Sequence, residues 1–584
     1  MPSDTQHHRI RGLATFRRLR QDVRSAFSRH PQATLNDSAP VYNALSYVWG
    51  VDPPKVTIIC NGQRLKIRPE LSFALVRLRL KHTARIIWAD ALCINQVDNQ
   101  EKSHQVPLMG KIFSRATEVN VWLGRGEKNV IKSAIECSKL IANACREFSL
   151  AHNLDLDEDE TLAAVEIPIT VFTVTVCGGL EELFTRPLFT RVWCVQEVLL
   201  ARDALVIWGE HELPWKDVGL TASWIVSKWA ACEGDGELGS LLTTIDVGDV
   251  YDMYDFDHFG ASLLETLSDF RRFQSTDPKD KVYGLISLVS NEPDIGSIIP
   301  DYEKSVADVY AETALHILTV TQQLPVFGQI SHDADYDGED GYRSWAPRWD
   351  CSFNTTTIGS KFGVSGIGAC SRRETQNIAA KHIEGGQLYL TGIIYAAVTI
   401  VDSTFDMKAL IQPEGLRRHR LLAKTCEEID WDDPEKDTTL HNLARTLTAG
   451  YSTDDDSLKT LDNKSLSAHY ERFRNFFEWW QTSQTADWND VRGDAQRYRS
   501  TLIIRCQNRR FFLISKYNYG IGPACMREGD IVVVLYGGDA PFVLRPKSDK
   551  YLMLGEAYVD SIMNGELVKE VEEGKLQEQE FCLI

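Results

Sequence analysis

The sequence predicts an α/β fold: a mostly parallel sheet with flanking helices, followed by a helical region and a small C-terminal antiparallel β module. Three patterns support this prediction. Apolar strand-like runs alternate with helical patterns between residues 40 and 215, which is typical of parallel sheets. Helical patterns dominate from 216 to 465. Near the C-terminus, short strand-like runs are separated by glycine turns, which is typical of a small antiparallel sheet or barrel.

Three strands of the α/β region are recognised by how they end. Residues 42–50 and residues 118–124 are apolar runs that each stop at a glycine. Residues 86–96 form an apolar run that becomes polar at Asn95. Because ligands bind outside the carboxyl ends of parallel strands, these three ends are the predicted edge of a binding crevice.

Two further segments lie between these strands. An Asn-Gly dipeptide at 61–62 separates two strand-like runs and predicts a β-hairpin. Asp98 and Glu101 have the spacing of a helix-capping box, so a helix is predicted to begin there. Pro107 falls inside that helix and is expected to kink it, because proline removes a backbone hydrogen bond.

The most informative segment is a short helix predicted to begin at Arg186-Pro187, since proline suits a first helical turn. Its apolar face consists of Leu188, Val192, Val195 and Leu199. Trp193 and Glu197 are four residues apart and therefore stack on a neighbouring stripe. A carboxylate beside an indole loses hydration and its pKa rises, unless Arg191 or Arg186 lowers it. Glu197 is thus a candidate catalytic residue; the alternative is a structural glutamate paired with Arg191 or Arg202.

Composition divides the chain into four predicted domains. Residues 1–39 are a basic lead-in, predicted as a solvated helix, with contact to an anionic membrane as the alternative. Residues 40–215 form the α/β domain. Residues 216–465 form the mixed, mainly helical region, with an acidic linker near 427–460. Residues 466–584 combine an aromatic-faced helix with the β module.

Charge and cysteine usage exclude several classes of protein. A formal net charge of -19 argues against a nucleic-acid-binding body, because phosphates would be repelled. The 13 cysteines are scattered without CxxC pairs, so neither a metal site nor a disulfide framework is predicted. With no signal-peptide pattern at the start, a cytoplasmic location is expected.

Common catalytic motifs are absent from the sequence. It contains no GxxxxGK(S/T) phosphate loop, no HExxH zinc motif and no GxSxG nucleophile elbow. A cysteine nucleophile, Cys194 or Cys93 with His82 or His104, remains as an alternative to carboxylate chemistry.

Several tryptophan-containing strings, in order, resemble the fungal heterokaryon incompatibility (HET) domain. They lie at 42–50, 87–105, 119–124 and 191–202, and further strings typical of full-length HET-domain proteins lie at 276–286, 300–302, 344–349 and 527–566. The resemblance implies a role in fungal allorecognition and programmed cell death.

The HET domain is similar to the flavodoxin-like fold of Toll/interleukin-1 receptor (TIR) domains, and Trp193-Cys194-x-x-Glu197 resembles a TIR string. In enzymatic TIR domains that glutamate cleaves NAD, so the resemblance implies that Glu197 is catalytic and that NAD is a substrate, with no bound cofactor. The candidates for contact with NAD are Tyr47, Trp49, Asn95 and Trp193. The aromatic rings among them can stack on nicotinamide or adenine.

The alternative is a domain that signals without catalysis. Many TIR domains act by self-association, and Glu197 is then merely structural. The expected partner is a second copy or another incompatibility protein, and no nucleic acid.

Overall fold

The structure, a computed structural model, divides into two compact units, Met1–Ser305 and Val306–Ile584. The described residues are 9–10, 13–17, 26–30, 33–34, 41–60, 63–156, 158–232, 236–257, 260–351, 355–359, 383–384, 386–406, 418–427, 429, 438–452, 463–482, 494–515 and 518–584. Among them, no helix combines the length and the apolar character that crossing a membrane requires.

The first unit is organised around a nine-stranded sheet of order β11-β10-β9-β5-β8-β2-β3-β6-β7. The strands, numbered along the chain, are β1 (Arg9–Ile10), β2 (Leu13–Arg17), β3 (Ala26–His30), β4 (Ala33–Thr34), β5 (Asn43–Tyr47), β6 (Val56–Cys60), β7 (Gln63–Ile67), β8 (Arg85–Trp88), β9 (Val119–Trp122), β10 (Ala204–Trp208) and β11 (His211–Pro214). β1 pairs separately with β4.

The centre of this sheet is parallel, and its margins are mixed. β8, β5, β9 and β10 are parallel to one another. Antiparallel pairs join β10 to β11, β8 to β2, β2 to β3 and β6 to β7. The prediction of a mostly parallel sheet therefore holds for the centre only. Counted along the chain, the four central strands have the order 2-1-3-4, which places a topological switch point between β5 and β9.

The helix predicted for the basic lead-in is wrong. β2 and β3 join the sheet instead, with β2 antiparallel to β8 and β3 parallel to β6. β2 covers an edge of β8 whose backbone hydrogen-bonding groups would otherwise be unpaired, which is a stronger constraint than local helix preference. The arginine side chains that suggested membrane contact lie outside the described residues.

Helices occupy connections between these strands and continue the chain after the last of them. In chain order they are α1 (Pro69–Arg77), α2 (Asp90–Cys93), α3 (Asn99–Gln105), α4 (Met109–Arg115), α5 (Lys128–His152), α6 (Asp159–Ala164), α7 (Val174–Phe184), α8 (Val192–Leu199), α9 (Trp215–Ala231), α10 (Gly236–Leu242), α11 (Gly248–Asp255), α12 (Leu263–Asp269) and α13 (Asp280–Tyr283). The Asp98 side chain caps α3, as predicted, by accepting from the backbone of Gln100 and Glu101. The disturbance expected at Pro107 is a short 3₁₀ segment, Val106–Leu108, between α3 and α4.

α8 begins later than the sequence predicts. Arg191 is its N-cap residue, so Pro187 lies before the helix and not in its first turn. The reason is a contact with a distant segment: the Val192 N–H donates to the Gln274 carbonyl at 3.0 Å, and the Gln274 N–H donates to the Thr190 carbonyl at 2.6 Å. These bonds hold the residues before α8 out of helical geometry.

The segment that follows α12 is held in place by hydrogen bonds from the buried side chain of Lys281. The Lys281 ammonium is buried, with 8% of the residue exposed. It donates to the Arg271 carbonyl at 2.7 Å and to the Phe273 carbonyl. These two hydrogen bonds, called the Lys281 clamp below, fix the loop that carries Gln274 next to α8.

In the second unit the helices are interleaved with the strands of the β module. Inside the region predicted to be mainly helical, that module has the strands Ile383–Glu384, Gln387–Ala397 and Ile400–Thr404. The helices of this unit are α14 (Val306–Thr321), α15 (Arg420–Glu427), α16 (Thr438–Leu447), α17 (Asn463–Thr482), α18 (Asp494–Cys506) and α19 (Glu566–Glu572). The predicted aromatic face of α17 is in the core, with Phe473, Phe476 and Trp480 buried. Within the predicted acidic linker, residues 430–437 and 453–460 lie outside the described residues, and α16 lies between them.

The C-terminal β module closes on itself. Its strands are β12 (Ile383–Glu384), β13 (Gln387–Ala397), β14 (Ile400–Thr404), β15 (Arg509–Ser515), β16 (Asn518–Pro523), β17 (Ile531–Leu535), β18 (Phe542–Lys547), β19 (Lys550–Glu556) and β20 (Gln579–Leu583). Because β20 pairs with both β19 and β13, the run β13-β17-β18-β19-β20 is a closed barrel. β14, β15 and β16 form a separate antiparallel sheet. The predicted small antiparallel sheet or barrel is thus present.

We expect Lys281→Met to destabilise the first unit by about 1–3 kcal/mol, because two carbonyls would lose a charged donor in a buried place. Urea unfolding monitored by tryptophan fluorescence measures the change. The matched control is Lys132→Met, since Lys132 is exposed and its pairing with Glu136 is loose, at 3.8 Å. Equal stability of the two variants would show that the Lys281 clamp contributes little.

Candidate functional site

Glu197 lies on α8 with its carboxyl group directed at the central sheet. Only 6% of the residue is exposed. The Ser46 hydroxyl, on β5, donates to Glu197 Oε2 at 2.5 Å. Ser46 is itself fully buried. The sheet and the helix therefore meet at a hydrogen bond between two buried polar groups, near the carboxyl end of β5.

The environment of Glu197 favours its neutral form. Burial raises the pKa of Glu197 to about 8, and the nearby Asp90 carboxylate adds to the rise. The Arg191 guanidinium and the Ser46 hydroxyl lower the pKa, but they do not offset burial. At neutral pH this carboxyl group therefore carries a proton for most of the time.

Asp90, the first residue of α2, forms a second carboxyl centre at the same edge. The Trp49 indole N–H donates to Asp90 Oδ2 at 2.8 Å. The Tyr47 hydroxyl also hydrogen-bonds to Asp90. Burial raises the pKa of Asp90, while Arg191 and these hydrogen bonds lower it. Two predicted residues, Tyr47 and Trp49, are thus brought together by an aspartate that the sequence argument overlooked.

Arg191 joins the two halves of the cluster. Its Nη1 donates to the Tyr47 carbonyl at 2.7 Å. Its charge lowers the pKa of both Glu197 and Asp90. The sequence indicated Arg191 only as a possible ion-pair partner of Glu197. Its position as N-cap of α8 places it at the end of β5, where it faces two carboxyl groups.

Trp193 has a hydrogen-bond partner that the sequence did not indicate. Its indole N–H donates to Asp280 Oδ2 at 3.0 Å, so its polar edge faces the segment after α12. Asp280 also accepts from the Tyr302 hydroxyl at 2.6 Å. Trp193 therefore anchors the start of α8. As expected, desolvation is the main cause of the raised pKa of Glu197.

Asn95 is not joined to the cluster by any contact among the described residues. It lies in an exposed turn after α2, where its backbone N–H donates to Glu101 Oε1 at 3.1 Å. The polar end of the 86–96 segment suggested Asn95, but the strand itself ends at Trp88. Asp90, the first acidic residue after that strand, was the signal that could have been used.

The cysteine alternative has little support from the geometry. Cys194 is buried, and burial followed by the Glu197 charge raises the pKa of its thiol above the usual range. A nucleophilic cysteine needs the opposite shift. Cys93 is also buried. His104 lies on the exposed side of α3, with Nδ1 close to the Gln100 carbonyl at 2.7 Å.

The cluster consequently combines two carboxyl groups, a guanidinium and a hydroxyl in a buried place. It can hold a proton on Glu197 and release it when positive charge approaches. Among the described residues no group of histidine, cysteine and acidic side chains is arranged to hold a metal ion.

Two protein-family models match separate parts of the chain. Residues 42–197 match the family model described as heterokaryon incompatibility protein (HET), and residues 451–584 match the Het-6 beta-barrel domain. The chain is 26% identical to heterokaryon incompatibility protein 6, OR allele, of Neurospora crassa, over 91% of each chain. No solved structure matches the chain. The first match begins at Tyr42 and ends at Glu197, so it contains Ser46, Asp90 and Arg191.

We expect Glu197→Gln to stabilise the protein at alkaline pH. The folded-state pKa of Glu197 is raised from 4.5 to about 8, so the folded protein holds a proton that the unfolded chain releases. Stability is therefore lost as pH rises through this window, by at most about 1.4 kcal/mol per pH unit. Glutamine cannot titrate and still accepts from Ser46.

The measurement is the midpoint of thermal unfolding at several values between pH 5 and pH 9. The difference between Glu197→Gln and wild type should grow in favour of the variant as pH rises. A difference that is independent of pH would mean that the folded carboxyl group titrates near its ordinary pKa.

Proposed function

We propose that this chain, which matches the HET and Het-6 beta-barrel family models, is a heterokaryon incompatibility protein and an allorecognition effector whose activation arrests or kills a fungal cell. We place its action in the cytoplasm, where free buried cysteines stay reduced. The proposed effector part is residues 40–215 completed by the segment that carries Gln274, Asp280 and Tyr302, because these residues hold the start of α8.

We further propose that the cluster around Glu197 cleaves the nicotinamide–ribose bond of NAD. The observation that carries this proposal is a buried carboxyl group of pKa about 8 at the carboxyl edge of parallel strands. Perturbed carboxyl groups in such places are candidates for catalysis. The strand order of the central sheet, which is that of flavodoxin-like folds, is compatible with the TIR-like interpretation.

The reaction uses the charge of the substrate. NAD carries a positive pyridinium ring, and its approach favours the ionised form of Glu197, which releases its proton to solvent. The bond between the ribose C1′ and the pyridinium nitrogen then breaks, and its electron pair returns to the ring to give neutral nicotinamide. The carboxylate stabilises the oxocarbenium-like ribose. Water adds to C1′ and gives a proton to the Glu197 carboxylate, which leaves ADP-ribose and restores the neutral acid.

Neighbouring residues have separate roles in this scheme. Burial, with a smaller contribution from Asp90, keeps the pKa of Glu197 high until a cation is bound, and Arg191 limits the rise. Tyr47 and Trp49 both hydrogen-bond to Asp90, so their rings are held at the same edge, where they can stack on the substrate.

A second candidate is a HET domain that signals by assembly with a second copy or another incompatibility protein. One observation favours it: Glu197 is 6% exposed and hydrogen-bonded inside the protein, as a structural carboxyl group is. In this case Glu197 supports the fold and the surface of the domain carries the signal.

Glu197→Gln separates the two candidates. If Glu197 is catalytic, the variant loses NAD consumption in the purified protein and loses toxicity when overexpressed in a fungal cell, while it remains folded. The matched control is Glu136→Gln, an exposed glutamate on α5 that should leave both properties unchanged. Toxicity that survives Glu197→Gln at normal expression would exclude the enzymatic proposal and leave assembly.

The pH profile gives an independent check of the ionisation step. Because the free enzyme must lose a proton from Glu197, kcat/KM should rise about tenfold per pH unit below a pKa of about 8 and level off above it. Steady-state NAD cleavage between pH 6 and pH 9 measures this. A profile that is flat, or that falls with pH, would contradict a catalytic carboxylate.

A further inference from the structure

Glu70 occupies the switch point between β5 and β9. Ligands of open α/β sheets bind in the crevice at such a point, outside the carboxyl ends of the strands. The turn after β5 carries Gly50 and the turn after β9 carries Gly124, both with positive φ, of 72° and 92°. A Cβ atom added at Gly50 would lie 3.4 Å from Glu70 Cγ, and one added at Gly124 would lie 3.6 Å from Glu70 Oε2.

The Glu70 side chain is therefore placed between two glycines, Gly50 and Gly124. Both turns need glycine, since other residues are strained at positive φ. The lack of a side chain at these two positions lets the Glu70 side chain lie against the backbone of both turns. Glu70 remains partly exposed there.

Its carboxyl group is held in a defined position. The Trp122 indole N–H, at the end of β9, donates to Glu70 Oε2 at 3.4 Å. Arg68, the N-cap of α1, donates to the Gly50 carbonyl at 2.8 Å and so ties the turn after β5 to the helix that carries Glu70. Among the described residues no hydrogen bond engages Glu70 Oε1.

A guanidinium lies near this carboxylate. Arg186 pairs with Glu182, and the Glu182 and Glu70 charges both oppose the lowering of the Arg186 pKa by burial. The crevice thus offers an acceptor at Glu70 and a positive charge at Arg186. This is the combination that suits a sugar hydroxyl next to a phosphate group.

We propose that Glu70 is a ligand-binding residue that accepts hydrogen bonds from the hydroxyls of a ribose in a nucleotide-class ligand. The inference rests on the proposed function, which puts the nicotinamide ribose at Glu197. The ribose left for Glu70 is then the one that bears adenine. Gly50 lies only three residues after Tyr47, whose carbonyl Arg191 holds, so both contacts belong to one edge of the sheet.

The test is equilibrium binding of ADP and of 2′-deoxy-ADP to the full chain, measured by calorimetry. Wild type should bind ADP about tenfold more tightly than 2′-deoxy-ADP, because one hydrogen bond to a charged acceptor is lost. Glu70→Gln should weaken ADP binding and remove most of this discrimination. Glu70→Asp keeps the charge but shortens the side chain, and should show the same loss if Glu70→Gln does not fold.

The matched control is Glu182→Gln, which also removes a negative charge beside Arg186 and should keep the discrimination. If wild type binds the two nucleotides equally, or binds neither, the inference is overturned. If Glu70→Gln discriminates as wild type does, Glu70 serves only to hold Trp122.

The nucleotide-binding test of Glu70 and the NAD-cleavage test of Glu197 can fail independently of each other. NAD cleavage that depends on Glu197 but is indifferent to Glu70→Gln would overturn the inference alone. Conversely, discrimination between ADP and 2′-deoxy-ADP without NAD cleavage would support the Glu70 site and count against the proposed chemistry. If the Glu70 site and the proposed NAD cleavage are both correct, Glu70→Gln should raise KM for NAD about tenfold and leave kcat nearly unchanged. The reason is that the hydrogen bond to Glu70 would stabilise the bound substrate and the transition state equally.

Discussion

A carboxyl group inside a protein needs a hydrogen-bond donor and some compensation of its charge, and for Glu197 both come from the elements that build the domain. The donor is Ser46, on the strand at the centre of the sheet. The compensating charge is Arg191, the residue that begins α8. β5 is in register with β9 such that Ser46 lies opposite Val121. A slip of one residue would turn Ser46 to the other face of the sheet and leave the carboxyl group without its donor.

The position of α8 depends in turn on residues far along the chain. Gln274 exchanges backbone hydrogen bonds with the residues on either side of Arg191, and Asp280 accepts from the Trp193 indole. Tyr302 completes this arrangement from the other side of Asp280. The helix that carries the candidate catalytic group is therefore fixed by about a hundred residues of later sequence. This explains why the first compact unit extends to Ser305, although the HET match ends at Glu197.

Local patterns in the sequence were sufficient for much of the fold. Glycine ends and apolar runs located β5 and β9, the Asn-Gly dipeptide located the hairpin of β6 and β7, and Pro107 marked a real break. The lead-in was mistaken for a helix because pairing with β8 is a long-range effect that no local pattern reports. Elements that are set by neighbouring residues were predicted correctly, whereas the β2–β8 pairing, which joins residues far apart in sequence, was missed.

The candidate site follows the same rule. Glu197 and its two aromatic neighbours, Tyr47 and Trp49, were indicated by unusual residue types at strand and helix ends. Asp90 was overlooked because an acid after a buried strand has many ordinary uses, and only the fold brings it beside Arg191. Trp193 was expected to desolvate Glu197 because the two are four residues apart. The sequence did not indicate the hydrogen bond from the indole N–H to Asp280, because Asp280 is distant in sequence.

Burial of Glu197 opposes catalysis by this group as long as it stays protonated, since a neutral acid cannot stabilise a positive transition state. Under the proposed function, the protonation of buried Glu197 controls when the site can act. At rest the proton stays on Glu197, because burial and Asp90 outweigh Arg191 and Ser46. At neutral pH a ligand that brings its own positive charge would shift this balance, and the carboxylate would then form where that charge develops. If the proposed function holds, access of a cationic substrate to the cluster is therefore what a trigger has to change.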